Sequence, residues 1–232
     1  MNELNELTSF VKKLKIPCYV IGVGLKESYE PDFSQSKPQD EAVKKFVTAV
    51  LEKSNCIGVR GELTGKYLET LGFAEGRDFM VIGCPSMYMK GKRLHIQNPK
   101  LDVNSKVCFN SNVAASVPTR KFIKLKMKEF ENHYFIGQVV NELRSIYLGA
   151  PYEYKIEYNF RNVTDKIYQD GRLRFFCNVP KWMEFLNDSD LTFGSRLHGN
   201  IAAVLAGTPA LLVTKDSRTC LLYTSDAADD RI

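Results

Sequence analysis

Apolar residues in the first part of the chain recur with two different periods. Helical spacing over residues 2–14, 42–51 and 64–72 predicts three helices. Three short apolar runs alternate with these helices and are typical of parallel strands buried on both faces. The runs are PCYVIGVG (17–24), NCIGVRG (55–61) and DFMVIGCP (78–85). This alternation of strand and helix predicts a parallel sheet covered by helices.

A second alternating series follows residue 105. Strands are predicted at KVCFNSN (106–112), HYFIGQVV (133–140), LRFFCNV (173–179), DLTFGS (190–195) and PALLV (209–213), and helices at 164–170, 180–186 and 195–206. Residues 88–105 have no clear period, so the boundary between two domains, 1–104 and 105–219, is placed there. The predicted fold class is α/β, with two Rossmann-like parallel-sheet halves.

Composition narrows the class of protein. The chain has 232 residues, of which 44% are hydrophobic and 25% charged, as in ordinary globular proteins. No apolar run approaches the roughly 20 residues of a membrane span, and the polar start is unlike a signal peptide. We therefore expect a cytoplasmic protein without a membrane span. The six cysteines lack metal-ligand spacing, which favours buried thiols and no metal site.

The net charge of +5 raises the question of nucleic-acid binding. The densest basic run, RKFIKLKMKEF (120–130), mixes lysines with apolar residues as a surface helix with a solvated face does. It lacks the basic stripe with interleaved aromatic residues that single-strand binders have. No nucleic-acid partner is expected.

The final residues, CLLYTSDAADDRI (220–232), differ in character from the rest. They are small and acidic, have no helix or strand period, and resemble the translation of a transposase adapter used in sequencing libraries. We expect a non-native tail here and leave it out of the fold prediction.

The strongest chemical signal is GSRLHGNIAAVLAGTP (194–209). A strand ends at Gly194, Ser195 is the predicted N-cap, and Arg196 and His198 fall in or beside the first helical turn. Free backbone N–H groups and the helix dipole favour an anion there. The guanidinium adds a fork for carboxylate or phosphate, and the imidazole exchanges protons near neutral pH. The alternative is that Ser195 only caps the helix and His198 packs.

Other strand ends carry weaker signals. GVRGELT (58–64) places Arg60 and Glu62 at a strand–helix junction, where a surface Arg–Glu pair is the alternative. KDSRT (215–219) offers Asp216 and Arg218 at an edge of the sheet. IGCPSMY (82–88) is interpreted as a structural turn, and the two remaining histidines are treated as structural.

Taken in order, GVRGELTGKYLETLG, VIGCPSMY and FGSRLHGNIAAVLAGTPALLVTKDSRT resemble the polysaccharide pyruvyl transferase family over about residues 16–219. The resemblance implies a fold like that of the two-domain glycosyltransferase B type. It also implies transfer of pyruvate from phosphoenolpyruvate to a sugar, as a ketal, in cell-wall or exopolysaccharide synthesis. The implied partners are phosphoenolpyruvate, as co-substrate without a further cofactor, and a sugar or lipid-linked saccharide acceptor.

The resemblance also assigns residues. Arg60 and Arg196 hold the carboxylate and phosphate of phosphoenolpyruvate, and His198 is the acid–base residue. The remaining substrate-binding candidates belong to the same motifs; they are Glu62, Leu197, Gly199, Asp216 and Arg218.

The family's opening Asn-x-Gly-Asp turn and a glycine-rich segment are not found in this sequence. The first half is therefore expected to be truncated and the fragment itself inactive, with an edge strand among its apolar runs. Two other functions stay open because a fold does not fix a function. They are a nucleotide-sugar glycosyltransferase of the same fold and a non-catalytic sugar-binding fragment.

Overall fold

A computed structural model describes residues 2–25, 31–112, 114–150, 160 and 163–214. These residues form two compact units, one within 2–89 and the other within 90–214. The division falls after Met89, inside the stretch without a period. Both units alternate strands and helices, which confirms the predicted α/β class with two parallel sheets.

The first unit has three helices and a three-stranded parallel sheet of order β1-β2-β3. Its elements are α1 (Asn2–Lys13), β1 (Ile21–Val23), α2 (Asp40–Leu51), β2 (Ile57–Val59), α3 (Glu62–Thr70) and β3 (Phe79–Val81), followed by a 3₁₀ turn at Pro85–Met89. The core joins the central strand β2 to α2 and α3 through Val50, Val59, Leu68 and Phe79. These side chains come from the apolar positions whose spacing predicted the helices and strands.

Strand β1 is the exposed edge strand that was expected among the apolar runs, so it is not buried on both faces as its apolar sequence alone indicates. Ile21 is 65% exposed and Val23 38% exposed, whereas all of β2 is buried. The reason is position, because β2 has a strand on either side and β1 has one neighbour within this sheet. β1 is also irregular: Gly22 has φ +73°, and the register with β2 shifts between Ile21 and Val23.

The second unit has a five-stranded parallel sheet of order β6-β5-β4-β7-β8. A short 3₁₀ turn at Gly91–Arg93 precedes β4 (Val107–Asn110), α4 (Val117–Met127), β5 (His133–Gly137), α5 (Val140–Leu148), α6 (Lys166–Gln169), β6 (Leu173–Phe175), α7 (Val179–Asn187), β7 (Leu191–Gly194), α8 (Leu197–Ala206) and β8 (Ala210–Leu212). Counted within the unit, the order is 3-2-1-4-5, that of a Rossmann sheet.

Helices cover both faces of this sheet. Phe109, Ile123 and Met127 belong to a core that includes α4, and Leu186 and Ala203 belong to a separate core formed with α7 and α8. Burial of Ile123 and Met127 agrees with the predicted surface helix for the basic run. Helix α5 was not predicted, and it carries a residue that is central to the site described below.

The cysteines only partly follow the predicted burial. Cys84 and Cys108 are buried, and burial raises the pKa of the Cys108 thiol to about 11. Cys177 is exposed, which contradicts the prediction, because it follows the short strand β6 where the chain turns toward α7. Within the described ranges, no helix is long and apolar enough to cross a membrane.

Candidate functional site

The carboxyl ends of β4 and β7 lie side by side in the second unit. The chain leaves the two strands toward opposite edges of the sheet, since β5 and β6 lie on one side and β8 on the other. Ligands of Rossmann-type sheets bind outside the carboxyl ends of the strands at this switch point. The sequence places Asn110 at the end of β4 and GSRLH, residues 194–198, at the end of β7.

Helix α8 begins one residue later than predicted. Arg196, not Ser195, is its N-cap residue. Ser195 is fully buried, and its hydroxyl accepts a hydrogen bond from the backbone N–H of Asn112 at 2.9 Å. Because the serine side chain is used across the sheet, another group bonds the start of the helix: the Asn110 side-chain oxygen accepts from the Arg196 N–H at 2.8 Å. The prediction of Ser195 as the N-cap residue of α8 was therefore wrong.

The loop before α8 is packed tightly against β4. A Cβ atom on Gly194 would lie 2.0 Å from the Asn110 carbonyl oxygen, closer than real Cβ contacts come. Asn200, one turn into the helix, donates from its side chain to the Gly194 and Arg196 carbonyl oxygens at 3.3 and 3.0 Å. The path from strand to helix is fixed by this packing.

Arg196 is buried and paired. Its Nη2 lies 2.6 Å from Oε1 of Glu142, a carboxylate with no exposed surface, and its Nε donates to the Ser111 carbonyl oxygen at 2.5 Å. Burial raises the pKa of the Glu142 carboxyl, while the Arg196 charge and the N–H groups of Gln138 and Val139 act in the opposite direction. An anion bound by Arg196 has to share the guanidinium with Glu142.

His198 is the second residue of α8 and is exposed, while both neighbours are buried. Leu197 is 6% exposed, so its side chain belongs to the interior. A Cβ atom at Gly199 would lie 2.5 Å from the Gln138 side-chain nitrogen, so a larger residue there would displace that side chain. The alternation of buried and exposed residues leaves the imidazole open to solvent at the helix start. The alternative in which His198 packs in the interior is therefore wrong.

In the first unit, Arg60 follows the central strand β2. Its backbone N–H donates to the Val23 carbonyl oxygen at 2.7 Å, and its side chain is half-buried. Within the described residues, the Arg60 side chain makes no hydrogen bond or ion pair, and its Nε is buried. Glu62 is exposed at the first position of α3. The predicted alternative of an Arg60–Glu62 pair is not seen.

The other candidates contribute less. Asp216 and Arg218 lie outside the described residues, as does the predicted tail at 220–232. His133 bonds the Phe130 carbonyl oxygen at 2.7 Å at the start of β5, in keeping with a structural role. No group of three metal-binding side chains occurs among the described residues.

Two side chains of this site, Glu142 and Asn110, were not predicted from the sequence. Glu142 stands three residues after Val139, whose N–H its carboxylate accepts at 3.0 Å, so it forms half of a capping box. That spacing is a signal for the start of α5, and Gly149 in the left-handed conformation marks its end. The pairing with Arg196 has no such local signal.

Comparison with known proteins identifies a family. A family model described as polysaccharide pyruvyl transferase matches residues 4–217, which include both units and the β7–α8 junction. Searches of curated proteins and of solved structures find no match.

Proposed function

This chain belongs to the polysaccharide pyruvyl transferase family, and on that premise we propose that it transfers pyruvate from phosphoenolpyruvate to two hydroxyls of a saccharide as a ketal. The observation that carries the proposal is the exposed His198, two residues after Arg196 in the first turn of α8, at the switch point of the second sheet. A proton carrier next to a cation and a helix N-terminus suits an anionic enol phosphate.

Ketal formation needs protons at two points. A proton adds to the methylene carbon of phosphoenolpyruvate and makes it a methyl group, leaving a cationic carbon beside the oxygen. One sugar hydroxyl attacks this carbon and loses its proton. Phosphate then leaves with the electrons of the broken C–O bond and takes up a proton, and the second hydroxyl attacks the same carbon and loses its proton, which closes the ketal. We assign the proton donor and acceptor role to His198, because an imidazole can both give and take a proton and this one is open to solvent.

Binding of phosphoenolpyruvate needs positive charge for a carboxylate and a phosphate. Arg60 offers a guanidinium that no described residue engages. Arg196 offers one that is already oriented by Glu142 and Ser111. Arginine is suited to both groups because its planar fork can donate two parallel hydrogen bonds. Each is therefore assigned to the anionic substrate, with the backbone N–H groups at the start of α8 as further donors.

The acceptor is assigned by class alone, as a sugar or lipid-linked saccharide of a cell-wall or exopolysaccharide pathway. Support for this comes from the family description. Phosphoenolpyruvate needs no cofactor for the transfer, since its enol phosphate is itself the activated group.

The test is substitution of the two exposed histidines of the second unit. In a catalytically active form of the enzyme, His198→Ala should lower turnover by more than tenfold, which corresponds to about 1.4 kcal/mol of barrier, and leave phosphoenolpyruvate binding largely intact. His95→Ala, in a loop, is the matched control and should keep wild-type turnover. Turnover of His198→Ala within tenfold of wild type would refute the acid–base assignment.

Binding to the folded protein separates this function from the alternatives. Phosphoenolpyruvate should raise the melting temperature, because a ligand of the native state stabilises it by mass action. A shift with a uridine-diphosphate sugar and none with phosphoenolpyruvate would favour a glycosyltransferase instead.

A further inference from the structure

We propose that Glu142 is a positioning residue for the transferase reaction, acting through Arg196 on the turn that carries His198. The proposal rests on the proposed function for its chemistry and on the contacts of the second unit for its geometry. Glu142 has no exposed surface, so it does not meet the substrate directly.

The Glu142 carboxylate uses both oxygens within the protein. Oε1 accepts from Arg196 Nη2 at 2.6 Å, and Oε2 accepts from the backbone N–H groups of Gln138 and Val139 at 2.5 and 3.0 Å. Those two residues form the turn between β5 and α5. One side chain therefore joins that turn to the start of α8.

Arg196 extends the connection to a third strand. Its Nε donates to the Ser111 carbonyl oxygen, just after β4, and its backbone N–H donates to the Asn110 side chain at the end of β4. β5, β4 and β7 are adjacent in the sheet. The carboxyl ends of three neighbouring strands are thus joined through one buried ion pair, and His198 lies two residues beyond Arg196.

The charge of Glu142 matters as well as its shape. Glu142→Gln is nearly isosteric but replaces one oxygen with an NH₂ group. Whichever way the amide turns, a donor then faces a donor, at either Arg196 or the two backbone N–H groups. In both orientations the guanidinium also loses the carboxylate that balances its charge. The direction of Arg196 and the start of α8 therefore depend on a carboxylate at this position.

The experiment compares Glu142→Gln, Glu142→Asp and a control in the full chain. The control is Glu184→Gln on α7 of the same unit, where the carboxylate forms an exposed pair with Lys181 at 2.7 Å. We expect Glu142→Gln to lower kcat at least tenfold and to change the KM for phosphoenolpyruvate severalfold. Glu142→Asp, which keeps the charge, should recover part of both. Glu184→Gln should match wild type.

Rates are expressed per folded molecule, with the folded fraction measured by circular dichroism at the assay temperature. A role that is only structural would lower the folded fraction and leave kcat and KM per folded molecule unchanged. Wild-type kcat and KM in folded Glu142→Gln would overturn the proposal. If this variant does not fold, Glu142→Asp decides: partial loss of kcat with a changed KM supports positioning, and wild-type constants overturn it.

A second measurement needs no substrate. The Nε proton of Arg196 should exchange slowly with water in the nuclear magnetic resonance spectrum of the wild type, because that nitrogen is buried and bonded to Ser111. Fast exchange, as for an exposed arginine, would overturn the buried connection. If the wild type neither binds nor converts phosphoenolpyruvate but exchange is slow, the proposed function fails and the connection between the strands stands.

Discussion

The β2–α3 and β7–α8 junctions have the same local pattern and different structures. Each has a buried strand, an arginine and then a helix, with a glycine within two residues of the arginine. Arg60 is half-buried and no described side chain engages it, whereas Arg196 is buried against Glu142. The difference comes from a residue 54 positions away in the chain. A strand–arginine–helix pattern alone therefore does not show whether the arginine is held by the protein.

A glycine at each junction also differs in how closely its Cβ position is packed, with the closer packing again at β7–α8. A Cβ atom at Gly61 would have no heavy atom within 4 Å, whereas one at Gly194 would collide with Asn110. The glycine after Arg60 therefore has open space at its Cβ position, and the glycine at the end of β7 does not. Substitutions at these two glycines and at the two arginines can test this contrast.

The largest effect is expected for removal of the arginine charge. Arg196→Met removes the charge that balances the buried Glu142 carboxylate and should lower the free energy of unfolding of the second unit by about 3–5 kcal/mol. Arg60→Met breaks no ion pair with a described residue, so its free energy of unfolding should stay within about 0.5 kcal/mol of wild type. Urea denaturation measures both. Equal losses in the two variants would contradict the difference between the junctions.

A smaller effect is expected at the glycines. Gly194→Ala forces the backbone of β4 or β7 to move, since the clash is with a carbonyl oxygen, and should cost about 1–3 kcal/mol. Gly61→Ala is the matched control: its φ of −157° is open to alanine, and the cost should stay below about 1 kcal/mol. Thermal denaturation of the two variants compares them. A larger loss for Gly61→Ala would reverse the contrast.

The smallest effect concerns pH and compares carboxyl groups of the two units. The Lys37 backbone N–H, followed by the Tyr67 hydroxyl, lowers the pKa of Asp40 at the start of α2. The stabilisation by Asp40 is therefore present above its unfolded pKa of about 3.9 and is lost as the pH falls through its folded pKa. The pKa of Glu142 is raised by burial, so its protonation acts in the opposite direction.

The variant Asp40→Asn should accordingly have a lower free energy of unfolding at pH 7 and a shallower fall between about pH 5 and 3 than wild type. Glu41→Gln, the exposed neighbour on α2, serves as the control and should keep the wild-type slope. The measurement is urea denaturation across this range. An unchanged slope in Asp40→Asn would show that the hydrogen bonds of Asp40 do not persist in solution.

Sequence patterns predicted the alternation of strands and helices because apolar period is a local property. The central strand β2 and the helix α8 were recognised from their own residues. An exposed edge strand was expected among the apolar runs, but its identity as β1 was not, because an apolar run is the same whether its strand is central or at an edge. The types of residue in the site were likewise predicted, with Arg196 and His198 two positions apart at the start of a helix.

The hydrogen-bond and ion-pair partners across the sheet could not be predicted in this way. Ser195 is a good N-cap residue by propensity, but its hydroxyl accepts a hydrogen bond from the backbone N–H of Asn112, just after β4. Asn110 bonds the helix start instead, from a strand 86 positions away. Glu142 pairs with Arg196 because β5 and β7 both lie beside β4. Such contacts follow from the strand order, which a local pattern does not contain.

The irregularity at Gly22 affects how well β1 can pair with a further strand. A regular apolar strand at the edge of a sheet offers a row of backbone groups to which a strand of a second molecule can add. In β1 the left-handed conformation of Gly22 interrupts that row, and the Pro85 ring occupies the space a side chain there would need, 2.7 Å from its Cβ position. Within the described residues, the backbone conformation of one glycine thus makes this edge strand a poor template for an added strand.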